Sequence, residues 1–170
     1  MCKRDSLVGE QGNYAQAEKY FEQGLTIARQ IANIEWESLL LLNLGVSLQK
    51  QTKFIQAEKY LKQGLDLVIQ IGIPQMVSNA LYELGNLYLN QLLLQIAEEH
   101  FNKMLNVTPE GNQDLIALAQ YGIARIAAIQ GKLSEAQTLG ETSLATLKAM
   151  GNRNAIDVRN WLDSAVKSKY

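Results

Sequence analysis

Leu41, Leu44 and Leu48 recur at three- and four-residue intervals, which places them on one stripe of an α-helix. Ala57, Leu61 and Leu65 form a second stripe with the same periodicity. The segment between them, Gln51-Thr52-Lys53, is polar and short, so the pattern predicts two antiparallel helices joined by a tight turn. Gln11-Gly12-Asn13 and Gln130-Gly131-Lys132 have the same character, with a glycine suited to a sharp reversal, and are expected to be turns too. Alternating charges such as Glu18-Lys19-Glu22 and Glu58-Lys59-Lys62 mark the outer, solvated helix faces.

The helical pattern is itself periodic. Ala-Glu-Lys-Tyr occupies positions 17–20 and again 57–60, an offset of 40 residues that leads on to Ala97 and, one residue early, to Ala136. Other columns follow it. Tyr14, Phe54, Leu94 and Leu133 are large and apolar, as are Leu25, Leu65, Leu105 and Leu144, whereas Gly45, Gly85 and Ala124 are small. Small residues in register place Gly45 opposite Ala57, at a close helix crossing. Gly72-Ile73-Pro74, Thr108-Pro109-Glu110-Gly111 and Gly151-Asn152 are expected to end the second helix of each pair. The units so delimited are a partial first repeat at 1–33, repeats at 34–73, 74–112 and 113–151, and a capping helix at 152–170, all in one array. Residues 1–10 can supply only the end of a first helix, as in a piece cut from a longer array, the favoured reading, or in a chain that opens on a degenerate half-repeat. In the capping helix Ile156, Trp161, Leu162 and Val166 are the apolar positions, with Arg159, Asp163, Lys167 and Lys169 polar.

Composition narrows the chemistry. Sixteen Lys and Arg against seventeen Asp and Glu leave a net charge of −1, without the basic excess that a phosphate backbone requires, so nucleic acid is not an expected partner. Two prolines in 170 residues suit long helices. A single cysteine, Cys2, forms no internal disulfide and a single histidine, His100, builds no multi-histidine metal site. The sequence has no apolar run of membrane-spanning length and no signal-peptide core, so a soluble cytoplasmic protein is expected, with no membrane contact.

Catalytic motifs are equally scarce. Gly131-Lys132-Leu133 lacks the first glycine and the hydroxyl of a phosphate-binding loop, and Gly45-Val46-Ser47-Leu48 lacks the second glycine of a nucleophile elbow. His100 falls in the column of Tyr20 and Tyr60 and reads as a packing residue. The pairs Glu98-Glu99 and Glu35 with Glu37 read as solvated faces. Neither an enzyme activity nor a cofactor or metal is expected.

Leu44-Gly45 and Leu84-Gly85, with Ala57 and Leu61, and Ala97 and Phe101, resemble the tetratricopeptide repeat family. The resemblance covers about residues 11–151 and is weakest in the fourth unit, where Ile123-Ala124 replaces Leu-Gly and Gly140 replaces the aromatic or leucine, implying looser packing there. The period of forty is similar to the long repeats of kinesin light chains and of the sensor arms of bacterial STAND-class signalling ATPases. The resemblance implies an all-α, right-handed α-α superhelix of antiparallel helix pairs with a C-terminal cap. It also implies a concave face lined by the first helices, carrying Leu39, Leu42, Val46 and Gln49, then Asn79, Tyr82, Asn86, Leu89 and Asn90, then Leu118, Tyr121, Arg125 and Ile129.

The expected function is a non-catalytic protein-interaction module binding a peptide or protein segment in that groove. The candidate partner-binding residues are Asn79, Tyr82, Asn86, Asn90, Tyr121 and Arg125. Asparagine amides suit the backbone of an extended peptide, tyrosines supply contact area, and Arg125 suits a carboxylate. Family members that clamp chaperone C-termini use Lys and Asn where this sequence has Leu42 and Val46, which disfavours that ligand. Leu92 and Leu93 occupy a turn that is polar in the other units and are a candidate second interface, with a second copy or with an attached domain. The alternative is a ligand-sensing arm of a larger signalling ATPase or transcription regulator.

If Ala57 packs at a close crossing, Ala57→Leu should cost about 1–3 kcal/mol by overpacking. Thermal or urea unfolding of the variant checks this, and an unchanged transition would remove the pairing.

Overall fold

The structure, a computed structural model, describes the backbone of residues 2–166 and the side chains of residue 14 and residues 16–165. Its elements are all helical: α1 (Cys2–Gln30), α2 (Ile34–Lys50), α3 (Phe54–Ile71), α4 (Pro74–Asn90), α5 (Leu94–Val107), α6 (Gln113–Ile129), α7 (Leu133–Ala149), α8 (Ala155–Trp161) and a π-helical turn, Leu162–Val166. They fall into two compact units that divide between Ile73 and Pro74. In the first, α2 packs on α1 and α3; in the second, α4 pairs with α5, α6 with α7, and α6 also packs against α4 and α5.

The turns repeat with the sequence. Lys53, Leu93 and Lys132 donate their backbone N–H to the carbonyls of Leu48, Tyr88 and Ala127 at 3.0, 2.9 and 2.9 Å. The residue before each is left-handed: Thr52 at φ 61°, Leu92 at 60° and Gly131 at 80°. The turn that the sequence suggests at Gln11-Gly12-Asn13 does not form, and α1 runs through it. A reversal of this kind is imposed by two helices packing on each other, and the Gln-Gly-Asn triplet alone does not compel it. Gly72 ends α3 in the left-handed conformation, its N–H shared by the carbonyls of Val68 and Ile69, and Pro74 opens α4. Gly151 and the Thr108–Pro109 segment end α7 and α5 as expected. Between α1 and α2 the left-handed residue is Ala32, and the Asn33 side chain caps α2 by accepting from Trp36 N at 2.8 Å.

The small columns mark where helices touch. A methyl group on Gly45 would lie 2.6 Å from Leu61 Cγ and 3.2 Å from the Ala57 carbonyl oxygen, and Ala57 is fully buried. Phe101 of α5 serves two helices at once, since a methyl on Gly85 or on Gly122 would come within 2.6 or 2.5 Å of its ring. The fourth unit is not loose. The room left by Gly140 is taken by Trp161 and Leu162, which lie 2.7 and 2.8 Å from where its Cβ would stand.

Buried hydroxyls add cross-links that the sequence did not flag. Thr108 Oγ1 donates to Met104 O at 2.7 Å and accepts from Ser78 Oγ at 2.8 Å, with the Pro74 carbonyl 2.9 Å from the same Ser78 oxygen, tying the end of α5 to the start of α4. Ser143 Oγ donates to Ala117 O at 2.7 Å and ties α7 to α6. In α2, Ser47 is buried in mid-helix. Glu18, expected on a solvated face, instead bonds Gln51 and pairs with Lys53 at 3.5 Å, and Glu37 pairs with Arg29 at 2.8 Å.

The C-terminal segment differs from a single helix over 154–170. α8 gives way to the π turn at Leu162, and the buried residues are Ala155, Val158 and Leu162, whereas Ile156 is exposed. Of the expected apolar positions, Leu162 is buried and Trp161 half-buried over Gly140, whereas Ile156 yields the inward place to Ala155 and Val158. The side chains of Cys2 and Val166, and residues Lys167 and Lys169, lie outside the described residues.

A leucine in the left-handed region carries steric cost that glycine escapes. Leu92 is 67% exposed and has little packing to lose. Leu92→Gly should therefore raise stability by about 1 kcal/mol in urea denaturation. A lowered midpoint would show that the leucine side chain holds the turn.

Candidate partner-binding site

Residues 79, 82, 86 and 90 of α4 follow helical spacing along one face, and residues 118, 121, 125 and 129 of α6 repeat it. Because α4 and α6 both pack on α5, these faces adjoin. Tyr82 rests on Phe101, ring centroids 6.1 Å apart, over the residue that also fills Gly85 and Gly122. Asn86 receives Arg125 Nη1 on its Oδ1 at 2.9 Å and hydrogen-bonds the Tyr82 hydroxyl. With Oδ1 so engaged, its amide N–H₂ is the group that serves Tyr82. The Arg125 guanidinium lies over the Tyr121 ring at 5.5 Å, and Tyr121 meets Trp161 edge-on at 5.4 Å.

Four of the six sequence candidates, Tyr82, Asn86, Tyr121 and Arg125, thus form one contiguous network. Asn79 and Asn90 lie exposed on α4 beyond it. Leu89, Leu118 and Tyr121, expected on the open face, are buried at 2%, 6% and 8% exposure. In the first unit Leu39 is exposed, Leu42 closes over Gly64, and Gln49 is half-buried with its Oε1 unpartnered among the described residues. Leu92 and Leu93 sit in the α4–α5 turn, both exposed.

Sequence reasoning missed Trp161 as part of this surface. The signal was present: Leu42, Tyr82, Tyr121 and Trp161 are spaced by 40, 39 and 40 residues. His100 behaves as a packing residue, its ring 5.0 Å from Tyr88 and its Nδ1 2.8 Å from the Ile96 carbonyl. Since a carbonyl only accepts, that nitrogen carries the proton.

Burial sets the electrostatics. Desolvation pushes the Tyr82 hydroxyl up to about 12, against the opposing effect of the bond from Asn86; Glu83 adds to the rise and Arg125 moderates it. Tyr121 is raised also, by desolvation first, with Arg125 pulling down and Asp157 pushing up.

The tetratricopeptide repeat family model matches residues 7–70. No curated protein matches the sequence. Among solved structures, the fold is similar to that of BtubC (BKLC) from P. vanneervenii, with a TM-score of 0.72 and 18% identity over 94% of this chain; the chain spans 66% of that protein's length. Among the described residues no helix is long and apolar enough to cross a membrane.

Tyr82 yields a test. A folded-state value near 12 against 10.0 for an ordinary tyrosine means that the unfolded chain loses this proton first. The associated stability is intact below about pH 10 and is lost as pH rises towards 12. Denaturant titrations from pH 9 to about 12 should show a fall that is shallower in Tyr82→Phe; equal slopes would mean that Tyr82 ionises as an ordinary tyrosine. The match to the tetratricopeptide repeat family thus covers residues 7–70, and the likeness of fold extends over 94% of the chain.

Proposed function

We propose that the second unit is a protein-interaction module, binding an extended peptide or protein segment across the faces of α4 and α6. Repeats of this family generally mediate protein–protein contact, and what supports the reading here is the state of Arg125. Its guanidinium is held by Asn86 and stacked on Tyr121, yet no carboxylate pairs with it among the described residues. A half-buried, oriented charge of this kind adds little to folding and much to recognition, because its geometry is fixed before a partner arrives. Half-buried Tyr82 and Trp161 give rigid contact area beside it, buried Tyr121 supports the guanidinium, and exposed Asn79 and Asn90 offer amides to a partner's backbone. Leu92 and Leu93 are a candidate second contact, for a second copy or an attached domain.

The work assigned to these residues is binding, not catalysis. Capture from lysate by the wild type and by an Asn86→Ala, Arg125→Met variant with matched circular dichroism and melting tests it. A protein retained by the wild type and lost from the folded variant is the expected result. Equal retention would place binding elsewhere.

A further inference from the structure

We propose that the α4–α5 turn is a contact between two copies of this chain, in which Leu92, Leu93, Ile96 and Ile129 of one copy pack on the same residues of the other. The inference rests on the reading of Leu92 and Leu93 as a second contact and commits that contact to one partner.

Leu92 is costly where it stands. Its backbone is left-handed at φ 60°, a region that disfavours any side chain beyond glycine, and the equivalent positions of the other two turns carry Thr52 and Gly131. Its side chain is also 67% exposed, so little packing within the chain offsets the strain. A strained residue that the fold does not need points to a role outside the fold.

Other apolar side chains gather beside it. Leu93 precedes α5 as its N-cap, Ile96 follows three residues later in the first turn of that helix, and both are exposed. α6 reaches the same end of the second unit. Asn86 of α4 is bonded to Arg125 of α6, and one helical turn farther along these two helices, which run in the same direction, stand Asn90 and exposed Ile129. The matching turn of the first unit reads Lys50-Gln51-Thr52-Lys53 and has no such patch.

The chemistry of the patch selects a twin. Residues 84–97 and 126–131 include no charged side chain, and charges begin only at Glu83, Glu98, Arg125 and Lys132. A two-fold contact sets one surface against itself, so any charge near its centre would meet its like. Exposed Asn90, Gln95 and Gln130 carry primary amides, which hold donor and acceptor together and can pair with their own kind. A partner of different sequence is ordinarily steered by opposite charge, and this patch offers none to read. Its small extent suits a weak, reversible pair.

Sedimentation of the 170-residue chain from about 1 to about 500 μM reads the association. Two chains per particle are expected at the upper concentrations. Leu93→Lys and Leu93→Glu, each with unchanged circular dichroism, should stay single, and an equimolar mixture of the two should pair again. Leu92→Gly should weaken pairing about tenfold while raising the urea midpoint, opposite signs that a leucine serving only the fold does not give. Ile156→Lys, at an apolar position on α8 that is 63% exposed, should pair like the wild type. A single chain at every concentration, pairing that survives both Leu93 charges, a mixture that stays single, or equal loss in Ile156→Lys would overturn the proposal. The Asn86→Ala, Arg125→Met variant should pair as tightly as the wild type, so that the groove and this contact fail separately. Loss of pairing there would move the contact into the groove and overturn it as well.

Discussion

The ring of Phe101 packs against two other helices of the second unit at once. It lies against Gly85 of α4 and Gly122 of α6 at distances that leave no room for a β-carbon on either, so it fixes how closely both helices approach α5. Dense packing makes that constraint stiff, since any larger residue at either glycine must displace ring or backbone. The binding face inherits this geometry directly, with Tyr82 resting on the same ring and Asn86 and Arg125 meeting across the two helices it joins.

The next helix contact solves the same problem with sizes reversed. Where Phe101 is large and Gly122 small, Gly140 is small and Leu162 large, with Trp161 beside it. A volume-conserving exchange keeps the interior filled, which is why the departure of the fourth unit from the repeat pattern does not loosen it. It also brings α8 onto this face, because the indole that fills the gap meets Tyr121 in a T-shaped contact.

Hydroxyl and amide groups do the remaining positioning. Ser78, Thr108 and Ser143 join neighbouring helices through buried bonds whose loss would strand polar atoms. Asn86 performs the same service at the surface, where one amide holds both a phenol and a guanidinium. Burial of Tyr82 and Tyr121 strengthens these contacts by excluding water from one side of them.

The sequence by itself determined the helical pairing, the forty-residue period and the turns at Thr52, Leu92 and Gly131, while the face of α4 and α6 that bears Tyr82, Asn86, Tyr121 and Arg125 was implied by the family resemblance. These are local or periodic properties, fixed by apolar spacing and by which residues end a helix. Other features were decided only in three dimensions. The run of α1 through Gln11-Gly12-Asn13, the burial of Leu89 and Leu118, the outward turn of Ile156 and the entry of Trp161 over Gly140 depend on what each segment packs against. Contact across helices answers to shape and volume summed over several distant residues, and no single stretch of sequence carries that sum.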